Sequence, residues 1–459
     1  MRLPNILIEI AKELDKNGAK AVVVGGAVRD SLLNLPIKDI DIEVYNSSYE
    51  KLAKILSKYG KVNLVGKSFG VIKLSTANLE FDFSLPRLER KVAKGHKGFE
   101  VTTNRNLTFK EAAKRRDFTI NAIGYDILAQ KILDPYNGMR DLDKRVLRVV
   151  DESSFKEDPL RVYRGAQFSA RFNLKVPSQT LRLFREMVKR GELEELPKER
   201  IFEEFKKFLL KASKPSIALE VLRKVGVIKR YFPHLFALIG TIQDPIYHKE
   251  GDVWRHTLMV LDEMAKLRVG DEKRDIIGMF AALTHDIGKP STTIVTDRVR
   301  AFGHDIVGEK LAVEFLMSLT SDKKIIEEVS KLVRYHLRVR ELFINRAKSG
   351  AIRRLATKVD LVQLERLARA DYFGRESRDK KSSFEAGDWF LKKAKELNVL
   401  NQPPKALILG RDLIELGLSP SPKFGSILKA AYNAQLEGEF GDKKGGIEWI
   451  KNRVLKDLF

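Results

Sequence analysis

The 459-residue chain contains no cysteine. That excludes disulfides, thiolate zinc sites and a cysteine nucleophile. Long apolar runs are missing too. Stretches such as Val22–Val24 and Ile276–Leu283 fall far short of the roughly 20 residues that cross a bilayer. Charges interrupt the opening segment MRLPNILIEIAKEL, so it lacks the layout of a signal peptide, and a cytoplasmic protein without a membrane partner is expected. No internal repeat or low-complexity tract stands out. Acidic residues are in deficit, 62 against 85 Lys and Arg, which leaves a net charge of +23. Such an excess suits a polyanionic partner, nucleic acid before an anionic membrane. With 43% hydrophobic and 32% charged residues the chain is globular, and its length calls for two to four domains.

Residues 5–17 carry apolar side chains at helical spacing and stop at Gly18. AKAVVVGGAVRD reads as a buried strand, a Gly25-Gly26 turn and a helix. Residues 37–45 alternate, which predicts a strand with Asp39, Asp41 and Glu43 on one face. Two more strands are expected near 61–76 and 79–85. Residues 86–116 hold ten Lys/Arg against three Glu, a net of +7, with little periodicity; composition alone reads them as a loop. From about residue 155 helical patterns dominate, broken at Pro177, Pro197, Pro215 and Pro233, and a loop near 400 opens a last section. The fold class is therefore α+β: a mixed α/β head of about 145 residues, then a helical body.

Asp39 and Asp41 at i, i+2 repel each other unless a divalent cation sits between them, which makes the pair a natural Mg²⁺ site. Asp82 in FDFSLPR is the candidate third acceptor from a neighbouring strand. The Gly25-Gly26 turn lets backbone approach a phosphate, and Arg29 follows in the first turns of the helix. These are the parts that two-metal phosphoryl chemistry requires.

Five segments, in order, resemble the motifs of class II tRNA nucleotidyltransferases, the CCA-adding enzymes and bacterial poly(A) polymerases. They are GGAVRDSLLNLPIKDIDIEV (25–44), PRLERKVAKGHKGFE (86–100), AAKRRDFTINAIGYD (112–126), DPYNGMRDLDKRVLR (134–148) and EDPLRVYRGAQFSARF (157–172). The resemblance implies a polymerase-β-like head over 1–147 and a helical neck over 148–235. It implies that Asp39 and Asp41 bind Mg²⁺ and that Gly26, Arg29 and Arg116 hold the incoming nucleotide. Asp117 is expected to fix an arginine or cap a helix, and Asn121 to touch the sugar. Asp158 and Arg161 would read the base edge: a carboxylate accepts from the amine of C or A, an arginine donates to ring acceptors, and the keto groups of U and G are rejected. Arg164 would reach phosphate. Gln167 stands where relatives often carry another nucleotide-contacting arginine, so that role is not carried over.

Further along, His256, the His285-Asp286 pair, His304, His336 and Asp371 form the pattern H…HD…H…H…D. Imidazole with carboxylate suits Mn, Ni, Fe, Zn or Mg. The pattern resembles the HD phosphohydrolase superfamily, over a domain expected at 236–376. It implies one or two divalent metals on His256, His285, Asp286 and Asp371, with His304 and His336 completing the site or contacting phosphate. It also implies phosphatase or 2′,3′-cyclic phosphodiesterase chemistry. The section 377–459 reads as a helical tail for the tRNA backbone, with Lys423, Lys429, Lys443 and Lys444 as candidate contacts.

The reading that unites these features is a template-independent enzyme that adds CCA to the 3′ end of tRNA, contacting the acceptor and T arms and using CTP and ATP. Its alternatives are an A-adding or CC-adding specialist and a poly(A) polymerase. Loss of the 86–100 loop marks CC-only enzymes, and the poly(A) branch typically lacks an HD domain. A reading of another class is an HD metallophosphohydrolase with a tRNA-binding head. Oligomeric state has no signature here.

Overall fold

In the computed structural model, the stripe Leu7, Ile10, Ala11 and Leu14 is the buried face of a helix over Asn5–Lys16 that packs on strand β1, Lys20–Val24. The structure describes all residues except 38, 65–69, 78, 92–98, 104–106, 377–381 and 456–459; the side chains of 87–91, 99–103 and 454–455 also lie outside it. Two compact units result, Met1–Ala212 with Ile217–Tyr231, and Ser213–Ser216 with Phe232–Phe459.

The first unit holds a seven-stranded sheet. Its strands in chain order are β1, β2 (Asp41–Tyr45), β3 (Lys61–Asn63), β4 (Val71–Ser75) and β5 (Glu80–Ser84). A separate hairpin follows, β6 (Arg87–Lys91) with β7 (Phe99–Thr103), then β8 (Gly124–Asp126) and β9 (Lys131–Leu133) return to the sheet. The sheet order is β3-β4-β5-β2-β1-β8-β9. Only β2 and β5 run parallel. In the same unit, Phe118 meets Phe155, Phe168 and Phe184 edge-on with ring centres 5.5 to 6.5 Å apart. Gly165 on the helix Leu160–Phe172 admits Phe184: a Cβ there would lie 2.6 Å from its ring.

The second unit is helical. The helix Glu272–Thr284 is buried continuously from Asp275 to Thr284, which is why its sequence is apolar on all sides. It packs against Val253–Lys266, Leu361–Phe373 and Lys323–Tyr335. Arg366 and Asp275, both buried, pair at 2.7 Å within that packing. At Gly288 a Cβ would lie 2.1 Å from the carbonyl oxygen of His304, so glycine lets the helix His304–Met317 start against this turn. The last section closes on its own cluster of Ile408, Leu413, Ala431, Ala434, Phe440 and Ile450. No helix among the described residues is long and apolar enough to cross a membrane.

The α+β expectation holds, with local corrections. The strand expected over 37–45 starts only at Asp41, because its partner β1 ends at Val24, the residue opposite Asp41. Asp39 therefore precedes the strand and is exposed. The basic stretch 86–116 contains the β6–β7 hairpin, and its central residues 92–98 lie outside the described residues. A second small hairpin, β10 (Thr293–Val295) with β11 (Val299–Ala301), interrupts the helical body where β-branched residues cluster.

Candidate functional sites

A cavity of about 620 Å³ opens in the first unit, lined by nine basic side chains and four aspartates. One wall is the sheet. The parallel register of β2 and β5 sets Asp41 beside Asp82, and both line the cavity; Asp39 does not. Burial pushes the Asp41 carboxyl above its ordinary range, and Asp82 and Asp39 push it the same way against the pull of Arg116. Lys73 stands 3.5 Å from Asp82. The donors are hard oxygens that repel one another, a set that fits Mg²⁺.

The turn after β1 brings backbone to the same cavity. Gly25 has φ +70°, and a Cβ there would sit 3.4 Å from the Arg116 guanidinium. Buried Glu43 anchors this corner. Its carboxylate lies 2.9 Å from Arg115 and 3.6 Å from Arg116 and accepts the Tyr45 hydroxyl at 2.6 Å. Burial alone would raise this carboxyl, but Arg116 and Arg115 outweigh it and hold it below the usual range. Glu43, expected to share the Asp41 face as one more acid, is instead the counter-ion of the arginines.

A further wall is the helix Leu160–Phe172, which presents Arg161, Arg164, Gln167, Phe168 and Arg171 to the cavity. Arg164 donates to Asp117 from Nε at 2.7 Å and lies 2.6 Å away through Nη2. Asp117 also accepts from Asn121 at 2.9 Å, and Asn121 accepts from Arg29 at 2.5 Å. Arg29 donates to Asp30 and lies 4.4 Å from the Phe172 ring centre. Asp117 thus fixes an arginine, one of the two roles expected of it, and Asn121 ties Arg29 into the same network. Asp158 accepts the Leu160 backbone N–H at 3.1 Å and faces Arg200 at 3.3 Å. Arg161 donates to the carbonyls of Ser154 and Arg115, each at 2.8 Å. Different neighbours therefore orient the two. Gln167 is 1% exposed and its amide nitrogen has no hydrogen-bond partner among the described residues. Arg200, Lys207 and Lys211 from the helix Lys198–Lys211 also line the cavity. Sequence reasoning missed these three, although their spacing of seven and four residues marks one helical face.

In the second unit the histidines converge from separate elements. His256 lies inside the helix Val253–Lys266; His285 and His336 follow helix ends, and His304 opens a helix. The helix Glu272–Thr284 stops just before His285 and Asp286, which lets both turn inward. The Nδ1–H groups of His285, His304 and His336 donate to the carbonyls of Ala282, Ala301 and Val333 at 2.9, 2.6 and 2.6 Å. His256 Nδ1 faces Glu250 at 2.9 Å. Every ring therefore turns its Nε2 toward the centre. There, His256 and His285 meet at 3.3 Å, and His304 and His336 at 3.2 Å. Asp286 lies 3.2 Å from His285 and 3.4 Å from His304, and Asp371 lies 3.2 Å from His256. Lone pairs facing one another at such distances require a cation or proton between them. The donor set of imidazole and carboxylate fits a divalent transition metal.

Burial, with His304 and His285 nearby, brings His336 down to about 4. Burial would also lower His256, but Asp371 and Glu250 outweigh it and hold it above its ordinary value. Burial would raise Asp286, yet His285 and Lys289 keep it well below the carboxylate range. Glu250, fully buried between His248 and His256, was missed in the sequence, where only the short spacing H-K-E marked it. Lys289, 2.6 Å from Asp286, was missed as well.

Over 339 residues the chain is 37% identical to the multifunctional CCA protein of Neisseria meningitidis strain FAM18, covering 74% of this chain and 77% of that one. The multifunctional CCA protein of Methylobacillus flagellatus is 37% identical over 345 residues, 74% of this chain and 79% of that one. The chain belongs to the multifunctional CCA protein family. Family models agree: a Poly A polymerase head domain matches residues 21–148, a "Probable RNA and SrmB- binding site of polymerase A" matches 173–239, and an HD domain matches 253–376. The fold is that of the CCA-adding enzyme of Bacillus stearothermophilus solved with CTP, with a TM-score of 0.69 at 21% identity over all of both chains. A CCA-adding enzyme of Thermotoga maritima complexed with tRNA matches with a TM-score of 0.61 at 21% identity, over 99% of this chain and 95% of that one. In this member of the family, Arg200 and Glu250 orient expected site residues, Asp158 and His256 respectively.

Proposed function

We propose that this chain is a CCA-adding tRNA nucleotidyltransferase that extends the 3′ end of tRNA from CTP and ATP. The observation that carries this reading is the strand register that sets Asp41 beside Asp82 at the wall of a cationic cavity. In the reaction the terminal hydroxyl of the RNA attacks the α-phosphorus of the nucleotide. A phosphodiester forms as the bond to pyrophosphate breaks. Asp39 and Asp41, with Asp82 as third acceptor, would hold Mg²⁺, which would supply charge neutralisation and a lower pKa for the attacking hydroxyl. The turn at Gly25-Gly26, with Arg116 above it, receives the triphosphate. Arg164 serves the same phosphates in a fixed position, because Asp117 holds its fork. Arg29, tied to Asn121, takes part in the same nucleotide site. Asp158 and Arg161 read the base edge, and Arg200 steadies the carboxylate. A protein edge needs no template strand and rejects U and G by leaving an acceptor facing an acceptor. The work on tRNA places the chain in the cytoplasm, and the tail from 377 onward supplies backbone contacts for the acceptor and T arms.

The helical unit is a metal-dependent phosphohydrolase in this reading. The observation favouring it is the set of inward-facing Nε2 atoms and carboxylates, each ring locked from behind. His256, His285, Asp286 and Asp371 would hold one ion, and His304 and His336, with Asp286, a second. Mn, Ni, Fe or Mg bound there would supply the lowered pKa that a hydrolytic water needs.

The test offers the purified chain three tRNA transcripts, ending at the discriminator base, at C and at CC, each with CTP, ATP or both. Extension of all three to CCA, followed by a stop, is expected. A single A added only to the CC-ended transcript would instead identify an A-adding specialist.

A further inference from the structure

Glu43 lies two residues beyond Asp41 on β2, so the two side chains leave the same face of the strand. Asp41 lines the nucleotide cavity; Glu43 is buried against two of the arginines that also line it. Its two oxygens are divided. Oε2 accepts the hydroxyl of buried Tyr45 at 2.6 Å. Oε1 accepts from Nη2 of Arg115 at 2.9 Å and lies 3.6 Å from Nη2 of Arg116. A carboxylate at this depth is held by such partners, and it holds them in turn.

Arg115 carries that anchor to a second element. It caps the C-terminal end of the short helix Phe109–Lys114. The last carbonyls of a helix have no donor within it, and the carbonyl of Arg115 accepts instead from Nη2 of Arg161 at 2.8 Å. Nη1 of Arg161 donates to the Ser154 carbonyl, also at 2.8 Å, and the guanidinium lies 5.9 Å from the Phe155 ring centre. A guanidinium carries five N–H donors in a rigid fork. Two backbone carbonyls therefore set the plane of the Arg161 fork, and its other donors remain for the cavity that it lines. A path of two short contacts runs from β2 through Glu43 and Arg115 to the helix Leu160–Phe172. The ion pair at Glu43 thereby ties the position of one of those carbonyls to the strand that carries Asp41.

We propose that Glu43 is a positioning residue for base selection: through Arg115 it holds Arg161 in register with β2. The proposal rests on the reading of Arg161 as a base-edge donor, and its test separates the two. The purified full chain is given a tRNA transcript ending at the discriminator base, with CTP or UTP, and the ratio of kcat/KM for the two nucleotides is measured. Arg161→Ala is expected to shrink that ratio about tenfold, the worth of one base-edge contact. Glu43→Gln keeps the size of the side chain and removes its charge. It is expected to shrink the ratio about fivefold, since a charge-assisted bond weakens to a neutral one. A smaller folded fraction cancels in the ratio, so a merely structural role would not move it. In the Arg161→Ala background, Glu43→Gln should change the ratio no further. An unchanged ratio in Glu43→Gln overturns the proposal, as does a rise in KM shared by both nucleotides with the ratio intact. The full Glu43→Gln effect persisting without Arg161 overturns it too. An unchanged ratio in Arg161→Ala removes the base-edge reading itself and the proposal with it. If Glu43→Gln does not fold, Tyr45→Phe answers in its place, because it removes only the hydroxyl that fixes Oε2. A loss of about twofold is expected there, and an unchanged ratio overturns the proposal.

Discussion

The strand-built site of the first unit and the helix-built site of the second both gather carboxylates, and they manage the repulsion differently. In the first, Asp41 and Asp82 stand side by side on neighbouring strands, with arginines arrayed around the cavity. The carboxyl of Asp41 is raised, so protons compete with a metal there. In the second, Asp286 has the half-buried Lys289 beside it and Asp371 the buried Arg375, and both acids are held well below their ordinary range. An open cavity of hard oxygens suits an ion that arrives with its substrate. A buried set of imidazoles and carboxylates suits a resident ion. The contrast teaches that a similar demand, cation capture, can be met by sheet register or by turning several helix ends toward one point.

The largest test of this comparison is to cut each site alone. Asp41→Ala is expected to lower nucleotide addition by about a thousandfold or more while phosphoester hydrolysis persists. The pair His285→Ala with Asp286→Ala is expected to do the reverse. Loss of both activities in a folded variant would break the separation.

Acid sharpens the contrast next. His336 titrates near 4 in the folded chain, against about 6.5 unfolded. Its protonation therefore favours unfolding, and the chelated wild type loses stability from this group as pH falls from about 6.5 toward 4. By linkage the loss is on the order of 3 kcal/mol. Melting temperatures of the chelated chain across this window should fall more steeply for wild type than for His336→Gln. His256, whose ordinary value is raised, acts in the opposite sense, gaining stability as it is protonated. Both variants keep it, so the difference isolates His336.

Glu250→Gln tests whether the buried site depends on support from behind its ligands. Mn²⁺ affinity by equilibrium dialysis should weaken about 10- to 100-fold, because His256 loses its anionic partner. The strand-built site should keep its Mg²⁺ dependence of addition. The smallest effect is expected at base selection. Asp158→Asn should shrink the discrimination of CTP over UTP by about tenfold, since the amide presents a donor as readily as an acceptor. Unchanged discrimination would move base reading elsewhere, with Gln167, whose amide nitrogen has no partner among the described residues, a candidate in the same cavity.

Much of the strand-built site was legible because its parts are local. Gly25-Gly26 before D-x-D, and Arg161 with Arg164 on one helical face, are patterns of period two and about three and a half. The exceptions have tertiary causes. Asp39 fell outside the strand because β1 stops at Val24. Glu43 alternates with Asp41 in sequence, yet it is buried beneath Arg115. In the helical unit the histidines themselves were legible, but Glu250, Lys289 and Arg375 were not: their partners His256, Asp286 and Asp371 are near in the chain, yet short spacing alone does not say which charged side chains turn toward the buried cluster. The β6–β7 and β10–β11 hairpins were hidden by composition: charge reads as loop, and a helical setting masks three-residue strands.

The sequence by itself determined the α+β class, the cationic character, the carboxylates of the head and the set of histidines that converge in the helical unit. These follow from residue type and short periodicities, which act over a few residues. Tertiary structure alone decided that Asp41 pairs with Asp82, that the imidazoles of four distant segments turn Nε2 inward, and that Arg115 joins Glu43 to Arg161. Those outcomes depend on strand register and on where helices end against their neighbours, and packing sets both through contacts distant in the chain.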